Sequence, residues 1–136
     1  MTIKSEMEAF FRSYIESFIG RDADAIAEHW DLVGLFPSPN GNFSMEREAF
    51  RKHCATLLDF YRQQGVVKPT GELLSADELF PNVVQARVAY RMLGENDAVI
   101  VQWEHVYILR KSDAWRISLT IADDELAAWT ALGAQL

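Results

Sequence analysis

The chain has 136 residues, 49% of them hydrophobic, and its 20 acidic residues outnumber its 13 basic ones, which gives a net charge of −7. This length is typical of one domain, here taken as residues 1–136, with a single substantial core. The acidic balance disfavours binding to nucleic-acid phosphates and to anionic lipids, which need a basic surface. We therefore expect neither nucleic acid nor a membrane among the partners. The single cysteine, Cys54, excludes a disulfide within the chain.

Three helices are predicted in the first half of the chain, because apolar residues recur there at helical spacing. The first begins at Ser5, whose sequence context fits a capping box. The second begins at Asp22, a good N-cap residue. The third runs from Ser44 to Gly65. Between the last two, the prolines and the Asn-Gly pair of residues 36–41 predict a turn, which short strands could flank.

Four strands are predicted after these helices, at residues 67–74, 83–93, 98–110 and 114–122. Turn-like residues separate the last three strands, and a short helix is predicted at 123–134. Helices followed by a run of strands indicate an α+β domain, with the N-terminal helices packed on one face of a curved antiparallel sheet. A sheet that curls around helices tends to enclose a pocket, so the order of elements favours small-molecule binding.

The strand at 98–110 is apolar on both faces. A strand with one face in water should alternate more cleanly between apolar and polar residues. One face therefore packs on the core, and the other is expected to pack against something else. A second copy of the chain is the simplest candidate, so we predict a homodimer.

Three short motifs stand in order along the chain. They are Phe18 with Asp22, Asp24 and Ile26; then Pro39-Asn40-Gly41 with Glu48-Ala49-Phe50-Arg51; and last the hairpin Val106–Ile117. In this order they resemble the nuclear transport factor 2-like superfamily, which includes ketosteroid isomerase and SnoaL-like polyketide cyclases. The resemblance covers nearly the whole chain and implies a cone-shaped, cystatin-like α+β roll. It implies no single activity, because this fold hosts many.

Ketosteroid isomerase permits a comparison of site residues. The resemblance aligns Tyr14 with its oxyanion-hole tyrosine and Glu104 with its second donor, a carboxylic acid kept neutral by an apolar site. Ser38 falls where that enzyme has its general base. A serine hydroxyl cannot abstract a carbon-bound proton unaided, so His29 or Asp31 would have to supply the base. Steroid isomerisation by that mechanism is therefore not expected.

The same alignment turns Glu104 and Gln102 toward the pocket, and so places Trp103, His105 and Tyr107 on the outer sheet face, where the homodimer would form. The expected catalytic residues are Tyr14, Glu104, His29 and Asp31. The expected substrate-binding residues are Trp30, Ser38, Phe50, Tyr90, Gln102, Ile117 and Leu119.

Each catalytic candidate also has a plain structural explanation. Tyr14 could be a core tyrosine bonded to a backbone carbonyl. Glu104 could form a salt bridge on the sheet surface with Arg87 or Arg91. His29 could be a structural histidine bonded to nearby backbone.

No His, Cys or carboxylate spacing predicts a metal site, and no cofactor is expected. The N-terminus lacks an apolar stretch of signal-peptide length, which favours a cytoplasmic protein. We expect the pocket to bind a small apolar compound. Two functions remain open. One is an isomerase, cyclase, dehydratase or hydrolase using Tyr14 and Glu104, and the other is a non-catalytic ligand-binding or homodimeric assembly module.

Overall fold

The computed structural model describes residues 2–39, 41–121 and 123–132. Its helices are α1 (Ile3–Ile19), α2 (Ala23–Glu28), α3 (Arg47–Gln63) and α4 (Asp123–Ala131). Its strands are β1 (Trp30–Ser38), β2 (Gly41–Glu46), β3 (Lys68–Phe80), β4 (Val83–Leu93), β5 (Val99–Lys111) and β6 (Trp115–Ile121). No helix in these ranges is long and apolar enough to span a membrane.

The strands form one curved, open sheet of six in the order β2-β1-β6-β5-β4-β3. The chain crosses from the β1–β2 hairpin through α3 to the far edge, and then returns strand by strand from β3 to β6. As a result β6 arrives beside β1 and runs parallel to it, whereas the other neighbours are antiparallel. The predicted α+β class is confirmed, but the sheet is mixed rather than wholly antiparallel.

One of the three predicted helix starts is found in the structure, and the other two are shifted along the chain. Asp22 caps α2 as predicted, and its side chain accepts the backbone N–H three residues on at 3.0 Å. For α1, Thr2 is the N-cap and Ser5 is its capping-box partner, so the helix begins earlier than expected. For α3 the start is later, at Arg47, because residues 41–46 form β2. The predicted end of α4 at residue 134 lies outside the described residues.

The core lies between the helices and one face of the sheet. Its largest fully buried side chains come from both layers and are Met7, Ile26, Val84, Val88, Leu109, Ile117 and Trp129. Along β5, alternate residues from Val101 to Leu109 are buried, and the residues between them are exposed or half-buried.

The predicted orientation of β5 is wrong. Trp103, His105 and Tyr107 are buried, with 8%, 7% and 3% of their surface exposed, whereas Gln102 and Glu104 are exposed. Because side chains alternate along a strand, reversing one residue reverses all of them. The three aromatic residues pair with buried positions of β4 and face the core, so they cannot form the outer dimer surface predicted for them.

An irregularity in β6 changes which of its residues face inward. Ile117 pairs with Leu109 and Leu119 pairs with Ile108, so β6 carries one extra residue between the two pairs. Such a bulge moves the following side chains to the opposite face. Ile117 is fully buried, and Thr120 takes the next buried position. The expectation that Leu119 faces inward is therefore wrong.

Candidate functional site

A partly open cavity of about 110 Å³ lies between the helices and the buried face of the sheet. An engineered cavity of about 150 Å³ binds benzene, so this space suits a group of roughly one ring. None of the described residues on its wall is Lys or Arg. Nine of them are aromatic: Tyr14, Phe18, Trp30, Phe36, Phe50, Tyr61, Tyr90, Trp103 and Tyr107.

Tyr14 reaches the cavity from the apolar face of α1, and 4% of its surface is exposed. Its hydroxyl oxygen accepts a hydrogen bond from Trp30 Nε1 at 3.0 Å. Burial raises the pKa of Tyr14 well above its usual value, so the hydroxyl keeps its proton. Because an indole N–H only donates, the proton of Tyr14 remains available for a second acceptor. Tyr14 is therefore a hydrogen-bond donor on the cavity wall.

His105 provides a second donor, from β5. Trp103 Nε1 donates to His105 Nδ1 at 2.7 Å, so Nδ1 is an acceptor and the ring proton lies on Nε2. Burial lowers the pKa of His105 to about 4, which keeps the ring neutral at neutral pH. No acceptor for Nε2–H is present in the part of the chain that the structure describes. The histidine expected on the outer face is instead a neutral donor beside the cavity.

The remaining hydroxyls of the cavity are largely occupied. The hydroxyl oxygens of Tyr90 and Tyr107 lie 2.6 Å apart, so one of their two protons bridges them. Thr120 donates to the carbonyl oxygen of Val106 at 3.0 Å. The cavity is thus mostly apolar, with few polar groups free to bind a ligand, which is the usual composition of a small-molecule site.

Glu125 enters the cavity wall from α4. Its Oε2 accepts hydrogen bonds from the hydroxyl of Tyr61 and from Trp129 Nε1, the latter at 3.3 Å. Burial raises the pKa of Glu125 to about 7, although both hydrogen bonds act to lower it. The side chain keeps some accessible surface where it borders the cavity, yet the protein surrounds its carboxyl group closely enough for desolvation to dominate.

Glu125 is a cavity residue that was not among the predicted site residues. It follows two aspartates near the end of the chain, where an acidic residue usually lies in solvent at a helix start. Glu125 lies four residues before Trp129, and residues i and i+4 share one face of a helix. This spacing was the signal in the sequence that Glu125 could face the core together with Trp129.

Four of the predicted site residues line the cavity, namely Tyr14, Trp30, Phe50 and Tyr90. Their roles stay predictions. Glu104 does not line it: the carboxylate lies on the outer sheet face, half-exposed, with its Oε1 3.2 Å from Arg87 Nη1. This is the salt bridge considered as the structural alternative. Gln102 is exposed on the same face, because it lies two residues before Glu104 along β5.

The two candidates for a general base, His29 and Asp31, lie outside the cavity, and so does Ser38, which was expected to bind substrate. His29 Nδ1 donates to the carbonyl of Ala25 at 2.7 Å, and its ring packs against that of Tyr14 without reaching the cavity. Asp31 accepts a hydrogen bond from the hydroxyl of Ser118 at 2.7 Å. Ser38 lies at the end of β1, where its hydroxyl donates to a backbone carbonyl at 3.1 Å. The base positions predicted by the resemblance are therefore not assembled around Tyr14.

Nucleophilic and metal sites have little support within the described ranges. No group of three His, Cys, Asp or Glu residues there lies close enough together to hold a metal ion. Cys54 lines the cavity, but burial raises the pKa of its thiol to about 12, so the reactive thiolate is not formed at neutral pH.

Comparison with known proteins decides the family. The model of the NTF2-like protein family DUF6841 matches residues 5–125. The chain belongs to this family. The resemblance seen in the sequence motifs is thereby confirmed. No curated protein matches the chain.

Several solved structures share the fold of this NTF2-like protein. A domain of unknown function with a cystatin-like fold from Nostoc punctiforme has a TM-score of 0.70 and 17% identity, over 88% of this chain and 75% of that one. A ketosteroid isomerase-like protein from Erwinia carotovora atroseptica has a TM-score of 0.66 and 14% identity, over 86% and 92%. An NTF2-like protein of unknown function from Shewanella oneidensis has a TM-score of 0.65 and 13% identity, over 88% and 98%. At these identities the likeness shows the fold alone.

Proposed function

We propose that this NTF2-like protein binds a small, mainly apolar molecule in the aromatic cavity. The observation that carries the proposal is a mainly aromatic wall in which two donors, Tyr14 O–H and His105 Nε2–H, have no acceptor among the described residues. Such a combination suits a compact ring or branched chain that carries a carbonyl, ether or hydroxyl oxygen.

The two donors argue for a binding site over a plain core. Polar groups in protein interiors are almost always hydrogen-bonded, whether to protein, to water or to a ligand. Tyr14 and His105 each have one bond within the protein and one donor left over. A ligand oxygen would satisfy a donor that the protein itself leaves unused.

Binding is proposed here without turnover. The fold includes isomerases and cyclases, but Tyr14 and Glu104 cannot act together on one ligand atom, because Glu104 is on the opposite face of the sheet. A ligand-binding module needs only the cavity and its donors, and is the simpler function for these residues.

The experiment is a calorimetric titration with cyclohexanone and with methylenecyclohexane, which has the same shape but no acceptor oxygen. We expect saturable binding of both, with cyclohexanone several-fold tighter because its oxygen accepts from the wall. Cys54→Leu, which adds volume to the wall, should abolish binding, and Cys54→Ser is the control that preserves it. Binding of neither probe, or binding that Cys54→Leu leaves unchanged, would contradict the proposal.

A further inference from the structure

The cavity contains an acidic group without a counter-ion. Glu125 is the one acidic residue among the described residues of the wall, and no Lys or Arg accompanies it there. No described basic side chain forms an ion pair with it. An enclosed carboxylate without a cation is costly, so proteins normally pair such a group or keep it protonated.

The hydrogen bonds of Glu125 leave one of its oxygens open. Tyr61 and Trp129 both donate to Oε2. Their bonds fix the orientation of the carboxyl group and make Oε2 an acceptor, so a proton on this group, when present, is carried by Oε1. Oε1 has no partner in the described part of the chain. Oε1 is therefore free to contact a molecule in the cavity.

The aromatic wall adds a second attraction for positive charge. The faces of Trp and Tyr rings attract cations. Around the cavity, the rings of Tyr90 and Trp103 lie 5.5 Å apart. The cation–π contact that the described residues do make, Lys111 over Trp115 at 5.8 Å, involves neither a cavity ring nor a cavity residue. The rings of the wall thus have no cation from the protein itself.

We propose that the ligand of this cavity is a small organic cation, an amine or quaternary ammonium with apolar substituents, whose charge lies between Glu125 Oε1 and the aromatic rings. This inference rests on the proposed function, since it needs the same cavity to admit a ligand. Tyr14 O–H and His105 Nε2–H would bind an oxygen elsewhere on the same molecule, so an amino alcohol or amino ketone matches all three groups.

The test compares choline with 3,3-dimethylbutan-1-ol, which has the same shape with a neutral carbon in place of the ammonium nitrogen. Calorimetry at pH 8 should show choline binding at least tenfold more tightly, as expected for a desolvated charge pair with cation–π contacts. Glu125→Gln should remove most of that preference and leave the alcohol within about twofold of its original affinity. Glu104→Gln makes the same charge change on the outer face, and should leave choline binding unchanged.

The outcomes separate this inference from the proposed function. If the alcohol binds as tightly as choline, or if Glu125→Gln leaves choline affinity intact, the cation inference is overturned while the cavity remains a binding site. Binding of cyclohexanone alone leads to the same conclusion. If cyclohexanone, choline and the alcohol all fail to bind, both proposals are overturned. The comparison of choline with the alcohol uses the unmodified protein, so it stands even if a variant folds poorly.

Discussion

The buried carboxyl group of Glu125 makes a specific prediction about stability and pH. Its pKa rises from 4.5 to about 7 on folding, so between these values the folded state binds more protons than the unfolded state. The free energy of unfolding therefore falls as pH rises through this range, and the stabilisation is lost above pH 7. At about 1.4 kcal/mol for each pH unit, the loss attributable to Glu125 is ~3 kcal/mol.

His105 has the opposite effect over nearly the same range. Its pKa falls from 6.5 to about 4, so the folded state binds fewer protons there and stability rises with pH. The two contributions largely cancel in the wild-type protein. The lowered pKa of His53 acts in the same direction as that of His105. The hydroxyls near Glu125 have raised pKa values and stay neutral throughout.

The difference between wild type and Glu125→Gln isolates the carboxyl group, because all other titrations cancel. The amide oxygen can still accept the bonds from Tyr61 and Trp129. Urea unfolding at pH values from 4.5 to 8.5 should show the variant gaining ~3 kcal/mol relative to wild type as pH rises. If the curves of unfolding free energy against pH run parallel for wild type and Glu125→Gln, the carboxyl group of Glu125 is not enclosed by the protein.

Three further substitutions test the structure by chemical denaturation. Tyr14→Phe leaves Trp30 Nε1 without its acceptor and should lower the free energy of unfolding by about 1–3 kcal/mol, and adding Trp30→Phe should cost less than the sum of the two single changes. Asp22→Ala removes the side-chain cap of α2 and should cost about 1 kcal/mol, whereas Asp22→Asn should restore most of it. Glu104→Gln breaks a half-exposed ion pair and should cost less than about 1 kcal/mol, with the loss vanishing in high salt. Larger losses at Glu104 would mean that its carboxylate is buried.

The fold could be predicted because its signals are local. Helical spacing in residues 5–19 gave one apolar face, and Tyr14 lies on it, so its position toward the core followed directly. The turn predicted at 36–41 is shorter in the structure, because residues 36–38 belong to β1 and pair with residues 41–43 of β2. The length of β1 also depends on pairing with β6, which is distant in sequence. The order of the helices and strands, together with the three motifs, then indicated the family.

The site was harder to predict because it depends on pairings between distant residues. Both faces of β5 carry several apolar residues, so alternation alone could not decide whether Glu104 or His105 faces the core. The bulge that turns Thr120 inward arises from the pairing of β6 with β5 and has no clear sequence signal. Glu125 reaches the cavity only because α4 packs beside Tyr61, a contact between residues 64 positions apart.

The most direct test is a crystal exposed to iodobenzene vapour, with the iodine located by anomalous scattering. If the aromatic cavity admits ligands, we expect an iodine peak inside the wall formed by Tyr14, Trp103 and Glu125. A cavity closed by its own side chains, with iodine found only on the outer surface, would contradict ligand binding at this site.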